Sequence, residues 1–293
     1  MQVTPRWRAS KLPCNGASAN AAPPVNDRSM TLPLIPLLSE IGDRIGGSPR
    51  IIMLDVDGTL APIAPRPQDA VVPPATRRAV AALAARPGVH VVIVSGRGAA
   101  DARRLVSVGN IWVIGNHGLE MMGPQGETDI VPEAESFRSA MAQASRRITA
   151  SLTHVAGVVL EDKVWTLSVH YRLADAGVVP RLRASVEGVA EQYGLRLTEG
   201  KGVLELRPPV EHDKGTAVLA LARRLGGLLP GTSLVFIGDD RTDEDAFRIL
   251  RENNPDAVTI RVADEDVQTA AEFRLPDPDA VRRFLEWLVT ETR

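Results

Sequence analysis

The chain has a single cysteine, Cys14, and aromatic side chains make up only 4% of its 293 residues. One thiol cannot form a disulfide or a cysteine-based metal site within a monomer, so a reducing, cytoplasmic setting is the expectation. So few aromatics weaken a single-strand nucleic-acid reading, which needs stacking platforms. Neither charge sign prevails. The 34 basic and 36 acidic residues leave a net charge of −2, with no global basic field for nucleic acid or a membrane surface. No run reaches the roughly 18 apolar residues of a membrane helix. Residues 1–49 are rich in Ala, Pro, Ser and Asn and are expected to be disordered or loosely attached. Arg6, Arg8 and Lys11 precede no apolar region, which argues against a secretory signal. An organelle-transit leader and a true start at Met30 both stay open.

What is present begins at residue 50. The run "RIIMLD" reads as a strand buried on both faces, "ATRRAVAALAAR" (75–86) as a helix, and "VHVVIVSGR" and "IWVIGNHG" as two further buried strands. This alternation predicts a parallel sheet with helical crossovers. The pattern then changes to a hairpin around Gly123–Gly126, a helix from about 133 to 152, and a strand pair in "VVLEDKVWTLSVHYR". A helix (about 175–193) and the strand pair "LRLTEGKGVLELRP" follow. Such an antiparallel block inside a βα series predicts an inserted α+β cap domain at 122–208. The doubly wound α/β core would be built from 50–121 and 209–293. After "RPPVEHDKG" come a helix opened by Lys214, the buried strand "SLVFIGDD", the helix "TDEDAFRILREN" and a terminal amphipathic helix.

Polar clusters close four of these strands: Asp55 and Asp57; Ser95-Gly96-Arg97; Asn116-His117-Gly118; and Gly238-Asp239-Asp240. Parallel strands share one carboxyl edge, so one crevice should collect them, with Lys214 in reach. Taken alone, Asp55 and Asp57 read as solvated turn residues. In company they repel: two carboxylates about 5 Å apart cost about 3 kcal/mol at an effective dielectric near 20. A hard, oxygen-only cation site is therefore expected, and Mg²⁺ suits it. A calcium loop would need an acid or amide at Thr59, and a phosphate loop fails on spacing at "GLRLTEGKG".

"LDVDGTL", "SGR", Lys214 and "GDDRTDEDAF" resemble the four motifs of the haloacid dehalogenase-like (HAD) phosphatase superfamily. With "NHGLE", "LEDKVWTLSVHYR" and "GVLELRP" the chain is similar, over about 50–290, to trehalose-6-phosphate phosphatases. The resemblance implies a Mg²⁺-dependent phosphatase releasing trehalose from trehalose 6-phosphate through an aspartyl-phosphate, with a functional link to trehalose-6-phosphate synthase. Asp55 would be the nucleophile and Asp57 the general acid and base. The metal would sit on the Asp55 side chain, the Asp57 carbonyl and Asp239, with Asp240 and Asp243 around it. Ser95 and Lys214 would bind the phosphoryl group, against a helix-cap reading for Ser95 and a surface reading for Lys214. Arg97, Asn116 and His117 are candidate substrate-binding residues, although a structural hydrogen bond is the stronger reading for His117 and His170. Glu161 and Lys163 share a strand face. With Glu205 they would bind the glucose ring distant from the phosphate, against a cross-strand salt bridge. Trp165 and Tyr171 read as core. A phosphatase for another sugar phosphate, and an inactive partner subunit of a trehalose synthase complex, are the competing functions.

Overall fold

The computed structural model describes residues 32–33, 38–152, 155–200, 202–265 and 267–291. The expectations for Cys14, Met30 and the first 31 residues lie outside the described residues. In chain order come β1 (Leu32–Pro33), α1 (Leu38–Ile45), β2 (Arg50–Leu54), α2 (Pro74–Ala84), β3 (Val89–Val94), α3 (Ala99–Val106) and β4 (Trp112–Gly115). Next are β5 (Glu120–Met122), β6 (Thr128–Ile130), α4 (Pro132–Glu135), α5 (Arg138–Leu152), β7 (Val159–Asp162), β8 (Leu167–His170) and α6 (Val179–Gln192). The chain continues through β9 (Arg196–Gly200), β10 (Val203–Arg207), α7 (Lys214–Arg224) and β11 (Ser233–Gly238). It closes with α8 (Arg241–Asn253), β12 (Val258–Val262), β13 (Phe273–Leu275) and α9 (Pro278–Glu291).

A nine-stranded sheet runs β1-β13-β12-β11-β2-β3-β4-β5-β6. Its pairs are parallel from β1 to β4 and antiparallel from β4 to β6. Strand alternation divides the apolar side chains between two faces. Ile52, Leu54, Val91 and Ile93 pack under α2, α3 and α9, while Ile51, Met53, Val92 and Val94 pack under α7 and α8. Burial on both faces is what makes these strands continuously apolar in sequence.

The smaller sheet, β7-β8-β10-β9, is wholly antiparallel. Leu167, Val169, Leu204 and Leu206 point to α5 and α6 and meet Met141, Ile148, Leu182 and Val186. Each such buried leucine contributes about 1.5–3 kcal/mol. The opposite face is polar. Glu161 registers with Ser168 and Ser168 with Glu205, a cross-strand row that confronts the large sheet.

Several local expectations change. The hairpin of β5 and β6 extends the large sheet instead of opening the smaller one, because β5 finds the free edge of β4. The helix expected over 133–152 is broken at Ser136, and Phe137 there packs against both the small-sheet core and the cluster of Leu119, Val131 and Trp165. Residues 38–49 are not loosely attached. Ile41 and Ile45 are 1% exposed, and Arg44 forks onto Glu272 at 3.0 and 2.7 Å. The tail composition hid an amphipathic helix, and β12 and β13 also went unread. Trp165, 6% exposed, is core as expected. No helix among the described residues is long and apolar enough to cross a membrane.

Candidate active site

At the end of β2 the Asp55 amide donates to Ile237 O of β11 (2.9 Å), and a turn on Val56 O follows. Gly58 takes φ +90°, and a Cβ there would lie 2.2 Å from Asp239 Oδ2. Only glycine allows the two strand ends to meet so closely.

Lys214 is 2% exposed, not a surface ammonium. It stands at the first position of α7, after the Asp213 cap, and its Nζ donates to Asp55 Oδ1 (2.7 Å) and Asp243 Oδ1 (2.9 Å). Burial alone would depress this ammonium, but Asp240, Asp243 and Asp55 outweigh it and hold it well above the usual lysine range. Asp243 Oδ2 accepts the backbone N–H groups of Asp239 and Asp240, both at 3.0 Å. Asp240 caps α8, its Oδ1 accepting from Thr242 N and Asp243 N. Burial raises Asp239 to about 6 and Asp243 to about 7, with Asp240 adding to both, and burial likewise lifts Asp55 well above the carboxylate range. Lys214 is not enough charge to offset them.

Asp55, Asp239 and Asp243 each offer an oxygen within 4.8 Å of the others, a set able to hold a metal ion. The fit has a local sign. Asp239 Oδ1 is buried and receives no hydrogen bond among the described residues, a condition a carboxylate oxygen tolerates poorly without a cation. Asp243 has both oxygens engaged already, which leaves Asp55 and Asp239 as the carboxylates free to bind one.

Ser95 is 1% exposed and does not cap α3, whose N-cap is Gly98. Its Oγ accepts instead from Arg97 N (3.2 Å). Arg97 grips Asp57 through Nε (2.7 Å) and Nη2 (2.8 Å), and also reaches Asp101 (3.0 Å) and Pro67 O (2.8 Å). Burial would lower this guanidinium, yet Asp57 and Asp101 raise it. Arg97 is thus spent on the core, and its fork fixes the Asp57 carboxylate.

The polar row of the small sheet meets these loops directly. Lys163 Nζ donates to Gly96 O (2.9 Å) and to Glu205 Oε1 (3.0 Å). Asn116, fully buried, donates to Glu120 (2.7 Å) and Lys163 O (3.2 Å), and accepts from Thr166 Oγ1 (2.7 Å). Asn116 and His117 both have positive φ, +49° and +55°. Two such residues in succession cost energy, and here the turn sets both side chains between the two layers. His117 packs its ring on Gly96, with Nε2 3.2 Å from Glu205 Oε2. Burial lowers His117 to about 4. The neutral ring keeps its Nε2–H toward Glu205, leaving Nδ1 buried without a partner. For Glu205, burial is outweighed by His117, Lys163 and Arg207, which hold it well below the usual range. Arg207, Ser168 and Thr166 belong to this site but went unread. Arg207 is two residues from Glu205, the same spacing that joined Glu161 to Lys163. Glu161 pairs with His170 (2.9 Å) and is 4.0 Å from Lys163.

The family model described as trehalose-phosphatase matches residues 53–279. The chain is 36% identical over 256 residues to an uncharacterized glycosyl hydrolase of Mycobacterium tuberculosis, covering 86% of this chain but only 19% of that protein. It is 34% identical over 267 residues to trehalose-phosphate phosphatase B of Arabidopsis thaliana, covering 86% and 70%. Among solved structures, a trehalose-6-phosphate phosphatase related protein superposes with a TM-score of 0.72 at 28% identity, covering 82% of this chain and 97% of that one.

Proposed function

The chain belongs to the trehalose-phosphatase family, and from that premise we propose that it hydrolyses trehalose 6-phosphate to trehalose and phosphate with Mg²⁺ bound. The observation that carries the reading is the cluster of Asp55, Asp239 and Asp243, with Asp55 and Asp243 sharing one buried lysine and an Asp239 oxygen that has no hydrogen bond among the described residues. A site with this excess of negative charge suits a cation and the phosphoryl group it accompanies.

Phosphate monoesters are among the slowest biological linkages to hydrolyse, so catalysis must supply around 20 kcal/mol. A covalent route divides that demand. Asp55 bonds to phosphorus as the bond to the sugar oxygen breaks, and Asp57 delivers a proton to that oxygen. Asp57 then takes a proton from the water that attacks phosphorus and frees Asp55. The Arg97 fork keeps the Asp57 carboxylate in one place through both steps. Lys214 orients Asp55 through Oδ1 and lends positive charge to the transferring group, and the Ser95 hydroxyl donates to a phosphoryl oxygen. Mg²⁺, held by Asp55, Asp239 and the Asp57 carbonyl, would neutralise the nucleophile and phosphoryl oxygens together.

The smaller layer, residues 131–208, serves as the cap that reads the sugar, with Glu161, Lys163 and Glu205 toward the ring distant from the phosphate. The proposal includes a cytoplasmic setting and a functional link to the synthase that makes the substrate. Phosphate release from a panel of sugar phosphates tests it. Trehalose 6-phosphate should exceed glucose 6-phosphate by orders of magnitude in kcat/KM, and no release from any sugar phosphate would overturn the reading.

A further inference from the structure

A cleft of ≈ 310 Å³ opens between the two layers, lined by the Arg97 that grips Asp57 and at the small end of the range for small-molecule sites, about 300–1,000 Å³. The cap side is strand β7 with the following Lys163, and the core side carries Gln68, Asp101 and Arg104. Gln68 and Arg104 have no part in the chemistry described so far.

Their bonding distinguishes them. Asp101 is spent, one oxygen on Arg97 and the other on Arg104. Gln68 stands on the single turn Pro67–Asp69, which Arg97 pins through Pro67 O at 2.8 Å. Its carboxamide makes no hydrogen bond among the described residues, so a donor and an acceptor face the cleft from a fixed backbone. Arg104 is 76% exposed and is steered by Asp101, one turn before it on α3. It commits one N–H group there and keeps the rest. A sugar needs such groups, because each hydroxyl both donates and accepts. If Asp57 protonates the leaving oxygen, the sugar must extend away from the phosphoryl pocket, and this cleft is lined by the Arg97 that holds the Asp57 carboxylate.

We propose that Gln68 and Arg104 are specificity-determining residues that bind sugar hydroxyls from the core side, opposite Glu161. This rests on the function proposed above. The test measures kcat/KM for trehalose 6-phosphate and for a small aryl phosphate in the full chain, in wild type, Gln68→Ala and Arg104→Ala. The ratio of the two should fall about tenfold in each variant, the loss expected when one solvent-accessible hydrogen bond to a substrate hydroxyl is removed. The constant for inhibition by the product trehalose should rise in parallel, with Tm unmoved. A ratio within twofold of wild type, or equal losses on both substrates, overturns the inference. A wild type that ignores trehalose 6-phosphate but prefers another sugar phosphate sinks only the proposed function. The ratios are then taken with that substrate, and the same criterion decides. Activity on no sugar phosphate overturns both.

Discussion

Two buried ionic clusters stand out among the described residues, and they are poor in opposite things. Around Lys214, Asp55 and Asp243 share one ammonium, Asp240 stands 3.9 Å away, and an oxygen of Asp239 has no donor. Around Glu205, one carboxylate receives Lys163, Ser168 and Arg207 and faces His117. The first cluster lacks cations and the second lacks acceptors. Burial raises Asp55, Asp239 and Asp243 of the first, while it is overcome at Asp240 by Lys214 and in the second cluster at Glu205, which falls well below its usual range. Desolvation is common to both, so the sign of each shift is set by the neighbours. The acid-rich site is incomplete without a bound cation, whereas the Glu205 carboxylate of the donor-rich site is satisfied by the contact between the layers.

The sharpest way to break the contrast is at Asp55. Asp55→Asn should lower kcat by at least about 10⁴-fold, as loss of a nucleophile does, while relieving repulsion and leaving the metal-free protein at least as stable as wild type. Phosphate release and a thermal melt of the same sample check both halves. Next in size is removal of the metal. A chelator should lower turnover by about 10³-fold, with Mg²⁺ restoring it. Mg²⁺ should also raise Tm more at pH 7.5 than at pH 5, which equal shifts would contradict. The sign follows from Asp239 and Asp243, whose folded values near 6 and 7 mean that the folded chain holds protons the unfolded chain releases near pH 4. Their contribution therefore falls as pH rises from 4 to 7 in metal-free protein.

The second cluster should respond to pH in the opposite sense. Unfolded His117 takes a proton near pH 6.5 but folded His117 only near 4, so its contribution is intact at pH 7 and lost as pH falls through that window. The full loss is about 3 kcal/mol, and Glu205 continues it in the same direction below pH 4.5. His117→Gln should flatten this limb in melts taken between pH 7 and 4. The smallest effect separates the cap residues from one another. Lys163→Ala should lower kcat/KM about 100-fold, some 2.7 kcal/mol, on aryl phosphates as well as the disaccharide, because Lys163 is bonded to Gly96 O of the phosphoryl loop. Glu161→Ala, which touches only His170 and the far end of Lys163, should discriminate against the disaccharide. Identical substrate profiles for these variants would erase the distinction.

That distinction was not legible in the sequence. The buried strands, the shared carboxyl edge and the acids upon it could be read from "IIMLD" and "VFIGDD", because a parallel strand covered on both faces leaves no other pattern. The antiparallel layer was readable from alternation around Leu167 and Val169. Helix α1 was missed because its apolar positions, Ile41 and Ile45, are a single turn apart in a segment dominated by small and breaking residues. Arg97 was placed at the site, but its partner Asp57 was not foreseen. Its fork onto Asp57 depends on a loop approach that spacing does not encode. Likewise, strand spacing put Glu161 and Lys163 on one face but could not show that Lys163 reaches across to Gly96.

The pairing of β2 with β11 also bears on how the chain is made. Asp55 and the lysine that orients it are separated by 159 positions, and strand β2 waits for β11 as a neighbour until the whole small layer has been synthesised. That layer has its own apolar interior and closes almost entirely through neighbouring segments, so it can consolidate first while the ribosome is still extending the other half. The large sheet, with its long-range parallel pairings, must follow more slowly. In the interval, the apolar edge of β2 is bare, and it is during this stage of synthesis, rather than in the finished protein, that the chain is most exposed to aggregation.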